Sequence, residues 1–102
     1  MAFEFEVKIM KTVRGKLVKF EEDIEADKIF ELDYPFQSWS VQITPESGKN
    51  CDVQISNDNI NYKSLYSSLP TSTDIQFING PIGFVKVKMG TSTKVSVSIR
   101  GC

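Results

Sequence analysis

The chain has 102 residues, 12 basic and 13 acidic side chains, a formal charge of −1 and no histidine. One domain spanning residues 1–102 suits that length, and burying roughly 60–65% of the unfolded surface gives a core that needs no metal or disulfide staple. Without histidine, Ser-His-Asp and Cys-His nucleophile activation and the commonest zinc ligand sets are excluded. Near-neutral charge speaks against broad nucleic-acid binding, which requires many phosphate-neutralising cations.

The N-terminal stretch Met1-Ala2-Phe3-Glu4-Phe5-Glu6 has no basic region followed by an apolar run, so a signal peptide is not expected. No stretch approaches the roughly 18 apolar residues of a membrane span. Period-2 alternation dominates from the start, placing successive side chains on opposite faces of a sheet. Phe3, Phe5, Val7 and Ile9 alternate with Glu4, Glu6, Lys8 and Met10. Arg14-Gly15 offers a turn, and Leu17-Val18-Lys19-Phe20 returns as a strand. Glu21-Glu22-Asp23 marks a loop or a solvated edge. Residues 24–32 fit either a helical turn or a strand, and strands on both sides favour a strand.

After Tyr34-Pro35, Trp39, Val41 and Ile43 face one way while Ser38, Ser40, Gln42 and Thr44 face the other. Pro45-Glu46-Ser47-Gly48 is a turn. Cys51, Val53 and Ile55 form the next inward face. Asn57-Asp58-Asn59 turns the chain into Asn61-Tyr62-Lys63-Ser64-Leu65, and the polar stretch from Ser67 to Thr73 reads as the longest loop. Ile75 and Phe77 open another strand, which stops at Asn79-Gly80-Pro81. Phe84–Met89 and Val95–Ile99 read as a closing hairpin across Gly90-Thr91-Ser92. About eight short strands at a spacing of about 8–12 residues indicate an all-β antiparallel sandwich, jelly-roll or immunoglobulin-like.

Candidate chemistry is sparse. Asn57-Asp58-Asn59-Ile60-Asn61 has oxygen ligands at alternate positions, yet a calcium loop counted from Asn57 needs glycine and glutamate where Tyr62 and Ser68 stand. A structural turn is the expectation there. The carboxylates at 21–23, Glu25 and Asp27 form a contiguous run, which suits a solvated loop better than a general acid–base pair around a cleft. The glycines stand singly among turns and make no phosphate loop. Neither a catalytic residue, nor a metal site, nor a cofactor is expected. Cys51 and Cys102 form no CxxC pair and are read as free thiols, with Cys51 a small strand hydrophobe and Cys102 on a mobile terminus.

Tyr34, Trp39, Tyr62 and Tyr66 could form a sugar-stacking platform, although Trp39 keeps register with Val41 and Ile43 and so reads as core. Tyr62 and Tyr66 flank the polar loop. Lys86, Lys88, Lys94 and Arg100 take outward positions on the last two strands, where basic side chains discourage edge-to-edge pairing. The alternative is a weak electrostatic contact with an acidic partner. Tyr62, Tyr66, Lys86 and Lys88 are therefore the candidate contact residues.

The segment Trp39–Thr44, then Asp52-Val53-Gln54-Ile55-Ser56-Asn57-Asp58-Asn59-Ile60-Asn61-Tyr62 and Leu65, resembles a pattern of small β-sandwich virion proteins from tailed bacteriophages. A strand ending in Ser-Asn-Asp-x-x-Asn-aromatic is followed by an aromatic-Val-x-Val strand, here Phe84–Val87, and a closing Val-x-Val-x-Ile strand, here Val95–Ile99. The resemblance covers about residues 39–100, with Asn59 where glycine is usual and Tyr62 where tryptophan is frequent. It implies a non-enzymatic structural protein of the virion, an auxiliary or decoration protein on the capsid shell. Its partners would be the major capsid protein or neighbouring copies, with no nucleic acid and no membrane. A carbohydrate-binding or adhesion module, taking a glycan, is the alternative. The Phe-Glu-Phe-Glu segment would add strands to the sandwich or serve as an arm pairing with a neighbour's sheet.

Overall fold

A computed structural model describes residues 15–102, and the expected strand at residues 3–9 and the Arg14 side of the first turn lie outside them. The described chain is all-β, with eight strands in two antiparallel sheets. They are β1 (Lys16–Ile24), β2 (Lys28–Glu31), β3 (Ser38–Thr44), β4 (Asp52–Ser56), β5 (Lys63–Ser64), β6 (Asp74–Asn79), β7 (Phe84–Lys88) and β8 (Val95–Gly101). The first sheet runs β1-β8-β3-β6 and the second β2-β7-β4-β5.

In this order β1 pairs with β8, β2 with β7, β3 with β6 and β4 with β5. The chain is one long hairpin, doubled at residues 57–62 and rolled so that alternate pairs fall in different sheets. That is a jelly roll. It decides between the two sandwich types left open by the sequence. The expected hairpin of the last two strands is corrected: β7 and β8 belong to different sheets. The segment between them crosses the end of the sandwich and is held to the β3–β4 loop. Ser92 N–H and Oγ–H both donate to the Asn50 carbonyl, at 3.1 and 2.9 Å, while Asn50 N–H donates to Thr91 Oγ1 at 2.8 Å. Gly90 must be glycine here, since its φ is +59° and a Cβ would overlap Asn50.

Residues 24–32 form strand rather than helix, split by a turn at 25–27. The acidic residues Glu21, Glu22 and Asp23 are themselves part of β1, an edge strand among the described residues, so of the two expectations the solvated edge holds and the loop does not. Two register shifts break the pairing of β1, between Leu17 and Lys19 and between Glu21 and Ile24. Asp23, at φ 55° inside the second shift, adopts the left-handed backbone that Asp tolerates better than most residues.

The core lies between the sheets and is built from the alternation itself. Trp39, Val41 and Ile43 of β3 and Val95, Val97 and Ile99 of β8 meet Val53 of β4 and Val85 and Val87 of β7. Cys51, Phe30, Leu32 and Ile24 complete it. At one end Phe36 packs edge-on against Trp39, with ring centroids 5.4 Å apart, and under Gly101, where a Cβ would overlap the Phe36 ring. Burying a branched side chain in so dense a layer stabilises by its transfer energy plus the cavity its loss would leave. Ile99→Ala is accordingly expected to lower the unfolding free energy in urea titrations by about 2–5 kcal/mol. Ile60→Ala, at an exposed turn tip, is expected to change it by less than about 0.5 kcal/mol.

Candidate interaction surfaces

The structure offers three features on which contacts with other molecules could rest: a rigid turn, and the outer face of each sheet. The turn comes first because the fold doubles there. Asp58 Oδ1 accepts from the backbone N–H of Ile60 and Asn61, both at 2.8 Å, and from Ser56 Oγ–H at 2.9 Å. Its Oδ2 accepts from Asn61 Nδ2 at 3.0 Å. Ser56 Oγ in turn accepts from the N–H of Asp58 and Asn59. These donors hold the Asp58 carboxyl well below the usual carboxylate range, the Asn61 and Ile60 N–H groups contributing most. The structural reading of this segment agrees with the geometry: both carboxylate oxygens of Asp58 bond to groups within the turn.

Tyr62 O–H donates to Asn59 Oδ1, and the Lys86 ammonium sits 4.6 Å from the centre of the Tyr62 ring. Two of the four expected contact residues are thus brought together, with one face of the aromatic ring covered by a cation. Tyr66 lies on the loop after β5 and packs against the core. Burial raises its hydroxyl pKa, and a hydrogen bond to the Asp74 carboxylate adds to the shift. Lys88 stands on β7 opposite Asp52. The outer face of the second sheet carries the row Ile29, Lys86, Gln54 and Ser64 across its four strands. Its polar groups bond among themselves: Asp52 accepts from Ser64 Oγ at 2.6 Å and from Gln54 Nε2 at 3.0 Å.

The outer face of the first sheet is different in kind. Pairing places Phe20 opposite Ser98, Ser98 opposite Gln42 and Gln42 opposite Ile75. A second row runs Leu17, Arg100, Ser40, Phe77. Both middle strands show only polar side chains outward, while both edge strands show large apolar ones. Phe77 is 79% exposed and Phe20 57%. A recess of about 310 Å³ at one end of this face is lined by residues including Ser40, Phe77, Arg100 and Cys102. A second, of about 250 Å³, is lined by Phe20, Glu22, Gln42, Thr44, Ser96, Val97 and Ser98.

None of Leu17, Phe20, Ile75 and Phe77 was among the expected contact residues. The signal for β6 was present in Asp74-Ile75-Gln76-Phe77-Ile78, where apolar residues occupy both phases of the alternation. Pairing with β3 resolves it: Ile78 faces inward with Trp39, whereas Phe77 faces outward with Ser40. Gln76 and Asp74 take the inward phase, and Gln76 Nε2 donates to Asp74 at 2.9 Å.

Cys51 and Cys102 are both free thiols, as expected, but they are not equivalent. Cys51 is fully buried, and burial together with the neighbouring Asp52 charge pushes its pKa up to about 11. Cys102 is exposed, yet its backbone is not loose. Its N–H donates to the Ser38 carbonyl at 2.9 Å, and its carbonyl accepts from the N–H of Gln37 and of Ser38 at 3.1 and 3.2 Å. The expected mobile terminus is corrected: pairing with Ser38 extends β8 by one anchored residue.

The Asp58 turn makes a pH prediction. Its folded-state pKa is depressed, so its stabilisation is complete above the unfolded-state value of about 4 and is lost as pH falls through the folded-state value. Asp58→Asn removes this dependence and leaves an Asn61 donor facing an amide. The urea midpoints of wild type and variant should therefore differ most near neutral pH and converge as pH falls below about 4. A constant gap would show that the carboxylate charge does not hold the turn.

No protein-family model and no curated protein matches the sequence. The fold is similar to that of a solved Bacillus protein of the endospore appendages, described as "a novel family of disulfide-linked pili". That likeness has a TM-score of 0.53 and 9% sequence identity, covering 95% of this chain and 97% of the other. At such low identity it bears on the fold alone: both chains are the same kind of sandwich.

Proposed function

We propose that the protein is a non-catalytic structural subunit that works by contact, carried in many copies on the surface of a bacteriophage particle. The observation that carries this reading is the outer face of the first sheet, where a rigid framework holds four large apolar side chains toward solvent. Exposed apolar surface of this kind on a small domain favours burial against another protein. The resemblance of residues 39–100 to virion sandwiches supports the particle, and the fold likeness to an appendage protein supports a subunit role more broadly. Repetition on a lattice or filament multiplies contacts that are individually weak.

Joining each subunit to two neighbours through disulfides would require two accessible thiols in each copy. This sequence has two cysteines, and only Cys102 is accessible. One accessible thiol links subunits in pairs and no further. In this protein continuous assembly would rest on non-covalent faces, with Cys102 able to add one bond per pair.

Quantitative mass spectrometry of purified phage particles is expected to find the chain at many copies per particle. Its absence there would end the virion reading, and its recovery from a cellular filament would transfer the same contact role to an appendage. Under native conditions a thiol-specific reagent should modify one cysteine per chain, and none in Cys102→Ser. Denaturant should expose the second.

A further inference from the structure

Among the described residues, the two transverse rows of the first sheet's outer face share one pattern. Each has an apolar side chain at either end and two polar side chains between: Phe20, Ser98, Gln42, Ile75 in one, and Leu17, Arg100, Ser40, Phe77 in the other. We propose that this face binds a second copy of the chain, sheet face to sheet face, about a two-fold axis running along the strands in the plane of the contact.

The pattern itself selects this partner and this axis. Such a rotation exchanges β1 with β6 and β8 with β3 while keeping each row at its own height. Phe20 then meets the partner's Ile75, and Leu17 meets the partner's Phe77, each contact occurring twice. Every exposed apolar side chain of the two rows finds an apolar counterpart. In the middle, Arg100 comes opposite the partner's Ser40, one strand spacing of about 4.8 Å to the side of the partner's Arg100. Gln42 comes opposite the partner's Ser98, a pairing of groups that each donate and accept. Arginine with aromatic neighbours is also the composition that protein contacts favour. The second sheet offers no equivalent, since its outer row has Ile29 at one end, Ser64 at the other and Lys86 between them.

The size of the face sets the strength. Four strands about 4.8 Å apart and about six residues long cover roughly 350–400 Å² in plan. That is short of the roughly 800 Å² per partner in stable complexes. The dimer is therefore weak by itself and depends on concentration. This inference does not require the virion role, because the self-matching rows would act in any assembly or in free solution.

The test is sedimentation velocity of the full chain from about 10 μM to about 1 mM. The weight-average sedimentation coefficient should climb from the monomer toward the dimer value across that range. Phe77→Glu and Phe20→Glu should each hold it at the monomer value, while Ile60→Glu, which alters an exposed apolar residue outside this face, should follow wild type. Far-ultraviolet circular dichroism of each variant confirms that the fold persists. The axis is tested with a short bismaleimide linker in a Cys102→Ser background. Leu17→Cys combined with Phe77→Cys should give covalent dimers, whereas Phe77→Cys alone should not, because the two Phe77 positions lie about 14 Å apart across the face. A wild-type chain monomeric to about 1 mM overturns the proposal and leaves the face to a partner of different sequence. Association that survives Phe77→Glu also overturns it, placing the dimer contact elsewhere.

Discussion

Everything in this fold follows from one constraint: the chain pairs with itself around the turn at residues 57–62. Once that turn is closed, β4 lies beside β5, β3 beside β6, β2 beside β7 and β1 beside β8. The turn can bear this role because Asp58 and Ser56 satisfy its inward-pointing N–H groups internally, without help from a ligand. Successive pairs join residues ever farther apart in sequence, until Lys16 lies opposite Gly101. Contacts between residues so far apart in sequence give a high contact order, so such a topology folds slowly for its size.

The same pairing decides what the molecule shows to its surroundings. Rolling the hairpin buries one phase of the alternation in the central strands β3, β7 and β8 and leaves the other phase on two outer faces. On the second sheet that phase includes Lys86, Gln54, Asp52 and Ser64, with Gln54 and Ser64 bonded to Asp52 and Lys86 over the Tyr62 ring. On the first sheet it is a polar centre between apolar rims. Two faces made by one rule thus differ in what they can bind. Among the described residues, β1 is an edge broken by register shifts and β5 an edge of two residues, while β6 is a regular edge of six residues.

Much of this was legible before any coordinates. Val41, Val53, Val87 and Val97 announce their inward phase because polar residues flank each of them, and the turns at Pro45–Gly48 and Asn57–Asn59 carry their own chemistry. The pairing partners were not legible, since adjacent strands with a short link suggest a hairpin, and only long-range contact separates β7 from β8. The contact face was hidden for the same reason. Whether Phe20 or Phe77 points inward depends on which neighbour fixes its register, and in β1 a shift intervenes between Leu17 and Lys19. Tyr62 and Lys86 were singled out from exposure and charge, which was enough to find residues that meet but not to rank the two faces.

We propose above all that the outer face of the first sheet is the working surface. Hydroxyl-radical footprinting, read residue by residue in the native assembly and in dilute protein, tests it most directly. Phe20, Ile75 and Phe77 should be strongly labelled in dilute protein and protected in the assembly, while Ile60 and Ile29 keep their labelling. Equal labelling of Phe20 and Phe77 in both states, with protection found on the second sheet instead, would contradict it.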